Sequence, residues 1–136
     1  MTLTLENVGQ YAETLVRQAQ SSGRNLDYTE ASLAVLDELF ALSDEHFATT
    51  SETQRNIVVF YNGCYLGTVM TRIFSGNWQI DENWFDTVVV IPAGEQAVQV
   101  RPFEKVWRRV MEGPEGNSLV AYVSGLRDRL AILKST

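Results

Sequence analysis

The sequence has almost nothing with which to hold a metal or build a disulfide: one cysteine, Cys64, and one histidine, His46, in 136 residues. A lone cysteine cannot form an internal bridge, and one cysteine with one histidine makes no zinc set, so neither metal nor cofactor is expected. A reducing compartment suits such a chain. The familiar catalytic signatures are missing too: there is no G-x-x-x-x-G-K-[ST], no G-x-G-x-x-G after a strand, no H-E-x-x-H and no EF-hand loop. A Ser-His-Asp or Cys-His arrangement would have to use His46, which "SDEHF" places on a loop, or Cys64, which lies in an apolar run where burial raises a thiol pKa. Asp37, Glu38, Asp44, Glu45, Asp81, Glu82 and Asp86 read as solvated surface charge, and no catalytic residue is assigned.

Positive charge is scarce over most of the chain. The formal net charge is −6, with four basic and thirteen acidic side chains in residues 1–100 against seven basic and four acidic in residues 101–136. Nonspecific nucleic-acid affinity comes mainly from Lys and Arg on phosphates, so nucleic acid is not an expected partner. The opposed balances imply that the carboxy-terminal helices dock on an acidic amino-terminal half, with Arg101, Lys105, Arg108 and Arg109 at the seam. A sharper reading of the same cations is a patch for an acidic partner or an anionic ligand. The amino-terminal "MTLTLENVGQYAETLVRQAQ" has no basic stretch followed by an apolar one, so it does not read as a secretory signal, and a cytoplasmic protein is expected.

What is present is ordinary globular material, 45% hydrophobic and 21% charged, of a length that fits one domain spanning 1–136. Helical spacing runs from Leu5 to about Ser21, where "SSG" ends it. A second amphipathic segment, "LDYTEASLAVLDELFAL", offers Asp27 or Thr29 as N-cap and lines up Leu33, Leu36, Leu39 and Phe40. The polar "SDEHFATTSE" then reads as a connection.

A third helix, about 53–74, carries no charged residue between Arg55 and Arg72. That run includes Asn56, Asn62, Gly63, Gly67 and Thr68, which reads as too short and too polar for a bilayer span, so a buried central helix is expected and no membrane partner. Gly63 and Gly67 share one face, each costing about 1 kcal/mol of helix propensity against alanine. A close neighbour such as Trp78 would offset that loss.

After "SGN" the pattern changes to short β-branched runs. Thr87–Ile91, stopped by "PAG", and the alternating "QAVQV" predict two antiparallel strands, with a third from Asn77 to Ile80. Pro102 opens a fourth helix with Phe103, Val106, Trp107 and Val110 inward and Gly113 as its stop; Asn117 or Ser118 caps a fifth. The expected class is α+β: five helices around a small antiparallel sheet of two or three strands.

The aromatic side chains supply the candidate sites. Tyr61, Gly63, Tyr65, Gly67, Trp78 and Trp107 form a candidate ligand-binding set where the central helix, the sheet and the fourth helix meet. "DENWFD" mixes two rings with three acids and reads as a protruding loop or edge, so Trp84, Phe85, Asp81 and Glu82 form a candidate partner surface. The leading reading is a non-enzymatic accessory domain that binds another protein, one variety being an immunity-like toxin inhibitor. The alternative is a small-molecule-binding domain, or a weak hydrolase, using an aromatic pocket. A homodimer is compatible with either.

Three stretches, "LDYTEASLAVLDEL", "GCYLGTVMTRIFSGNW" and "PFEKVWRRVMEGPEGNS", resemble a family of small bacterial proteins of unknown function over about Leu26 to Ser118. Members of that family often carry Glu where this chain has Thr68. The resemblance implies a bacterial stand-alone or accessory domain, and no activity.

Overall fold

The structure, a computed structural model, describes residues 2–135. The chain runs through α1 (Val8–Ser21), α2 (Ser32–Thr49), α3 (Glu52–Phe74), β1 (Asn77–Gln79), a 3-10 turn (Trp84–Asp86), β2 (Val88–Ala93), β3 (Gln96–Val100), α4 (Pro102–Glu112) and α5 (Leu119–Lys134). Among the described residues this is an α+β fold of five helices and one antiparallel sheet in the order β1-β2-β3.

The third helix starts where Ser51 accepts a hydrogen bond from the Gln54 amide at 3.2 Å, satisfying one of the orphan donors of its first turn. It is buried without interruption from Asn62 to Gly67, and the Asn62 amide in that run donates to the Val58 carbonyl at 2.9 Å. By length and composition α3 could cross a membrane. In the fold α1, α4 and the sheet cover it instead. From the first helix Tyr11 meets the Phe60 ring edge-on at 4.7 Å, and α5 closes the far side against α2 and β2.

Several boundaries differ from the sequence expectation, each for a local reason. The first helix begins at Val8, because Thr4 and Asn7 exchange hydrogen bonds of 2.7 and 3.1 Å that hold a turn before it. Leu5 is left 67% exposed while Leu3 takes a place in the core. In the second helix neither Asp27 nor Thr29 is the N-cap; they form a turn of their own, and Thr29 Oγ1 receives the Ser32 amide at 3.2 Å. The same helix runs on to Thr49, so His46 is helical and not on a loop. Phe47 holds the extra turn down by burying itself near Phe40, with ring centres 6.4 Å apart.

The central strand contains Pro92, paired with Ala97 on β3. The first strand pairs only as far as Val90, so one side of β2 is open from there on and the missing proline N–H costs the sheet nothing on that side.

The charge seam is real but differently staffed. Arg109 is 2% exposed and holds Asp44 of α2 in two bonds of 2.7 and 3.0 Å, and Arg127 of α5 pairs with Glu30. Arg101 pairs with Asp86 at 2.7 Å and Arg108 with Glu104 at 3.0 Å, so these two do not reach the helical amino-terminal half. No carboxylate forms an ion pair with Lys105 among the described residues. The most extended polar clasp of the seam is Asp37, whose carboxylate accepts from Ser118 Oγ at 2.8 Å and from the Leu119 and Val120 amides at 2.9 and 3.1 Å, capping α5 from α2.

Candidate functional site

Two rings lie on the paired glycines of α3. A β-carbon on Gly63 would stand 2.2 Å from Phe103, and one on Gly67 would stand 2.0 Å from Trp78. The two rings touch one another, with centres 6.1 Å apart, and Phe103 also meets Phe60 and Trp84. The space above the glycines is thus filled by α4 and β1.

The remaining members of the ligand-binding set are dispersed. Tyr65 is fully buried, its hydroxyl accepting the Tyr28 amide at 3.0 Å and sharing a 2.6 Å hydrogen bond with Ser32. Those bonds help hold Tyr28 at a φ of 65°, a left-handed conformation that a bulky side chain adopts only when surroundings fix it. The Tyr28 ring is clasped further: it stacks on Tyr65 at 5.0 Å, lies under the Arg72 guanidinium at 3.9 Å and donates its hydroxyl to Glu13 at 2.8 Å. Tyr61 faces a separate depression with Gln10, Tyr11 and Arg17. Thr68 is half-buried and donates to the Cys64 carbonyl at 2.7 Å.

Trp107 belongs with the other aromatic group. Together with Trp84, Phe85, Asn83, Asn56, Glu52 and Glu104 it lines an open groove of about 430 Å³. All three rings are half-buried: Trp84 packs edge-on against Phe60 at 5.1 Å and Phe85 meets Trp107 at 6.4 Å. They sit in the groove wall and do not protrude from it.

The loop that carries Trp84 and Phe85 is held by its own polar residues. Thr87 Oγ1 accepts the Asp81 amide at 3.0 Å, Asp81 accepts the Asn83 amide at 2.9 Å, and Asn83 accepts the Phe85 amide at 3.3 Å. Asp86 ties the same loop to Arg101 at the start of α4. Two fixed rings therefore face a third on a regular helix, with little ordering left to do when something binds.

Around the groove the carboxylates are not equivalent. Glu104 is shared between Arg101 at 3.3 Å and Arg108 at 3.0 Å, whereas Glu52 and Glu82 form no ion pair among the described residues. The arrangement offers π-faces beside uncompensated negative charge, which is how proteins hold cationic side chains. It offers no nucleophile: Cys64 is fully buried away from the groove, and burial pushes its thiol up to about 12. Among the described residues no group of three or more His, Cys, Asp or Glu could hold a metal ion.

The partner-surface residues Trp84 and Phe85 thus stand with Trp107, taken from the ligand-binding set, and with Glu52 and Asn56, which carried no signal in the sequence. Asp81 and Glu82 are exposed on the loop beside them. No curated protein and no solved structure matches the chain. A sequence model matches residues 6–124, from just before α1 into α5 and thus across both groups of rings, and through it the chain belongs to a family described as a family of unknown function (DUF6278).

Proposed function

We propose that this protein is a non-enzymatic accessory domain that docks a basic segment of another protein in the Trp84–Phe85–Trp107 groove. The observation that carries the reading is the groove itself: three half-buried rings beside Glu52, in a chain whose other paired-glycine site is filled by its own side chains. Aromatic rings are enriched where binding energy concentrates, and a Lys or Arg side chain gains about 0.5–2 kcal/mol over such faces. A net charge of −6 favours encounter with a basic partner. An inhibitor that masks a basic toxin enzyme is the variety of this function that the charge supports best, in a bacterial cytoplasm.

The test is photo-crosslinking in the native host, with a photoreactive residue at Phe85 and, as control, at Gln18 on the solvent face of α1. One protein captured at Phe85, absent at Gln18 and lost on Glu52→Lys with Trp107→Ala, supports the reading. The same capture at both positions, or none at either, refutes it.

A further inference from the structure

Across Glu104 from the three rings, two depressions share a wall and together make up a trough. The first, about 290 Å³, is lined by Gln99, Val100, Arg101, Glu104, Lys105, Arg108 and Tyr122. The second, about 340 Å³, shares Gln99, Val100 and Tyr122 and adds Arg129 from α5. Cations stand at both ends: Arg101, Lys105 and Arg108 at one, Arg129 at the other. Glu104 is the one carboxylate lining the two depressions, and Arg101 and Arg108 already share it.

Lys105 is less compensated than Arg101 and Arg108, each of which holds a carboxylate. Its ammonium lies 4.9 Å from the centre of the Tyr122 ring and forms no ion pair among the described residues. Asp37 and Glu112 act on it only at longer range. Partial burial first, and then the charge of Arg108, hold its ammonium below the usual lysine range. Arg129 has no ion pair among the described residues either. Partly burying an unpaired cation beside another one costs free energy, which the Tyr122 ring and the more distant carboxylates offset only in part.

We infer that this trough binds a small elongated polyanion, a compound with phosphate or carboxylate groups at both ends, held by Lys105 and Arg108 at one end and Arg129 at the other across the face of Tyr122. The size of each depression fits a small molecule better than a chain. Guanidinium and ammonium groups give such anions their strongest hydrogen bonds.

The test is isothermal titration of the full chain with pyrophosphate and, separately, with succinate, each at constant ionic strength set with sodium chloride. Binding of either at one site is expected, and which one binds names the anion chemistry. Lys105→Met keeps the aliphatic stem over Tyr122 and removes the charge, and it should weaken binding about tenfold or more. Arg129→Gln, on an exposed helix face, should weaken it as well and guards against a folding defect in the first variant. Gln18→Ala, on the solvent face of α1, should leave it unchanged, which shows that the losses are local to the trough. No binding of either anion, binding unaffected by both charge removals, or a response only to a poly-glutamate peptide would overturn the inference.

Discussion

Replacing Gly63 by alanine puts a methyl group where the Phe103 ring already is. The β-carbon would lie 2.2, 2.7 and 2.9 Å from three carbons of that ring, against an ordinary contact beyond 3.4 Å, so the ring must move by more than an ångström. It has nowhere easy to go: Phe103 is fully buried, with Phe60, Trp78 and Trp84 around it. Overpacking of this kind costs about 1–3 kcal/mol, and the upper end applies here, while alanine recovers about 1 kcal/mol of helix propensity. The net expectation is a loss of about 2 kcal/mol. Gly67→Ala meets Trp78 at 2.0 Å, a closer approach, yet the atom concerned is the far end of a half-buried ring on a short edge strand that can swing outward. Its net loss should be under about 1 kcal/mol, the overpacking and propensity terms nearly cancelling. Gly125→Ala on α5 meets nothing within 4 Å and should gain about 0.4–1 kcal/mol. Urea unfolding followed by tryptophan fluorescence gives all three, provided the slope with denaturant stays constant. The ranking Gly125→Ala, Gly67→Ala, Gly63→Ala from most to least stable is the prediction. A Gly63→Ala variant as stable as the parent would refute the filled-groove account.

Two further outcomes follow from buried polar chemistry. Asp44→Ala leaves the Arg109 guanidinium enclosed without its partner and should cost about 3 kcal/mol, the low end for a broken buried pair because Asp44 itself is 32% exposed; Arg109→Met, which removes the charge along with the pairing, should cost less, and the reverse order in a thermal melt would sink the argument. For Cys64, with an ordinary value of 9.0 and a native value of about 12, the unfolded chain loses its proton first. That contribution to stability is therefore complete below about pH 9 and is lost as pH rises from about 9 towards 12, at up to about 1.4 kcal/mol per pH unit. Tyr28, Tyr65 and Tyr122 are also raised, mainly by burial, and act in the same direction above 10.0, so the Cys64 part is isolated by difference. Between about pH 8 and about pH 10 the parent should lose about 1 kcal/mol more than Cys64→Ala, and parallel slopes would show that the thiol is not held protonated.

The class of fold was legible because its main signals are local. Apolar spacing marked α1 and α4, the uncharged run marked α3, and β-branched alternation marked the strands. The glycine pair even pointed to Trp78. What was illegible depends on contacts far apart in the chain. "SDEHFATT" is polar enough to pass for a loop, and only the burial of Phe47 and the grip of Arg109 on Asp44 keep it helical. The left-handed Tyr28 follows from a hydroxyl contributed 37 positions later, which no local pattern encodes. For the candidate site, Trp84 and Phe85 stood out as rings among acids, but their meeting with Trp107, Glu52 and Asn56 needs the packing of α4 on α3. Lys105 read as a seam charge, and Arg129 carried no signal in the sequence; that neither holds a carboxylate depends on the packing of α4 and α5.

The Asp37 clasp bears on the order in which the molecule is made. The carboxylate reaches Ser118, Leu119 and Val120 across separations of 81 to 83 positions, and α5 leaves the ribosome after every other described element. Until then the α2 carboxylate has no amides to receive and the first turn of α5 has no partner for its donors. Closing so long a loop costs little more entropy than closing one half its length, but contacts of such separation slow the approach to the native state. A nascent chain of this protein therefore carries an open side facing the position of α5 until that helix emerges. The last of the described helices to appear is the one that shuts it.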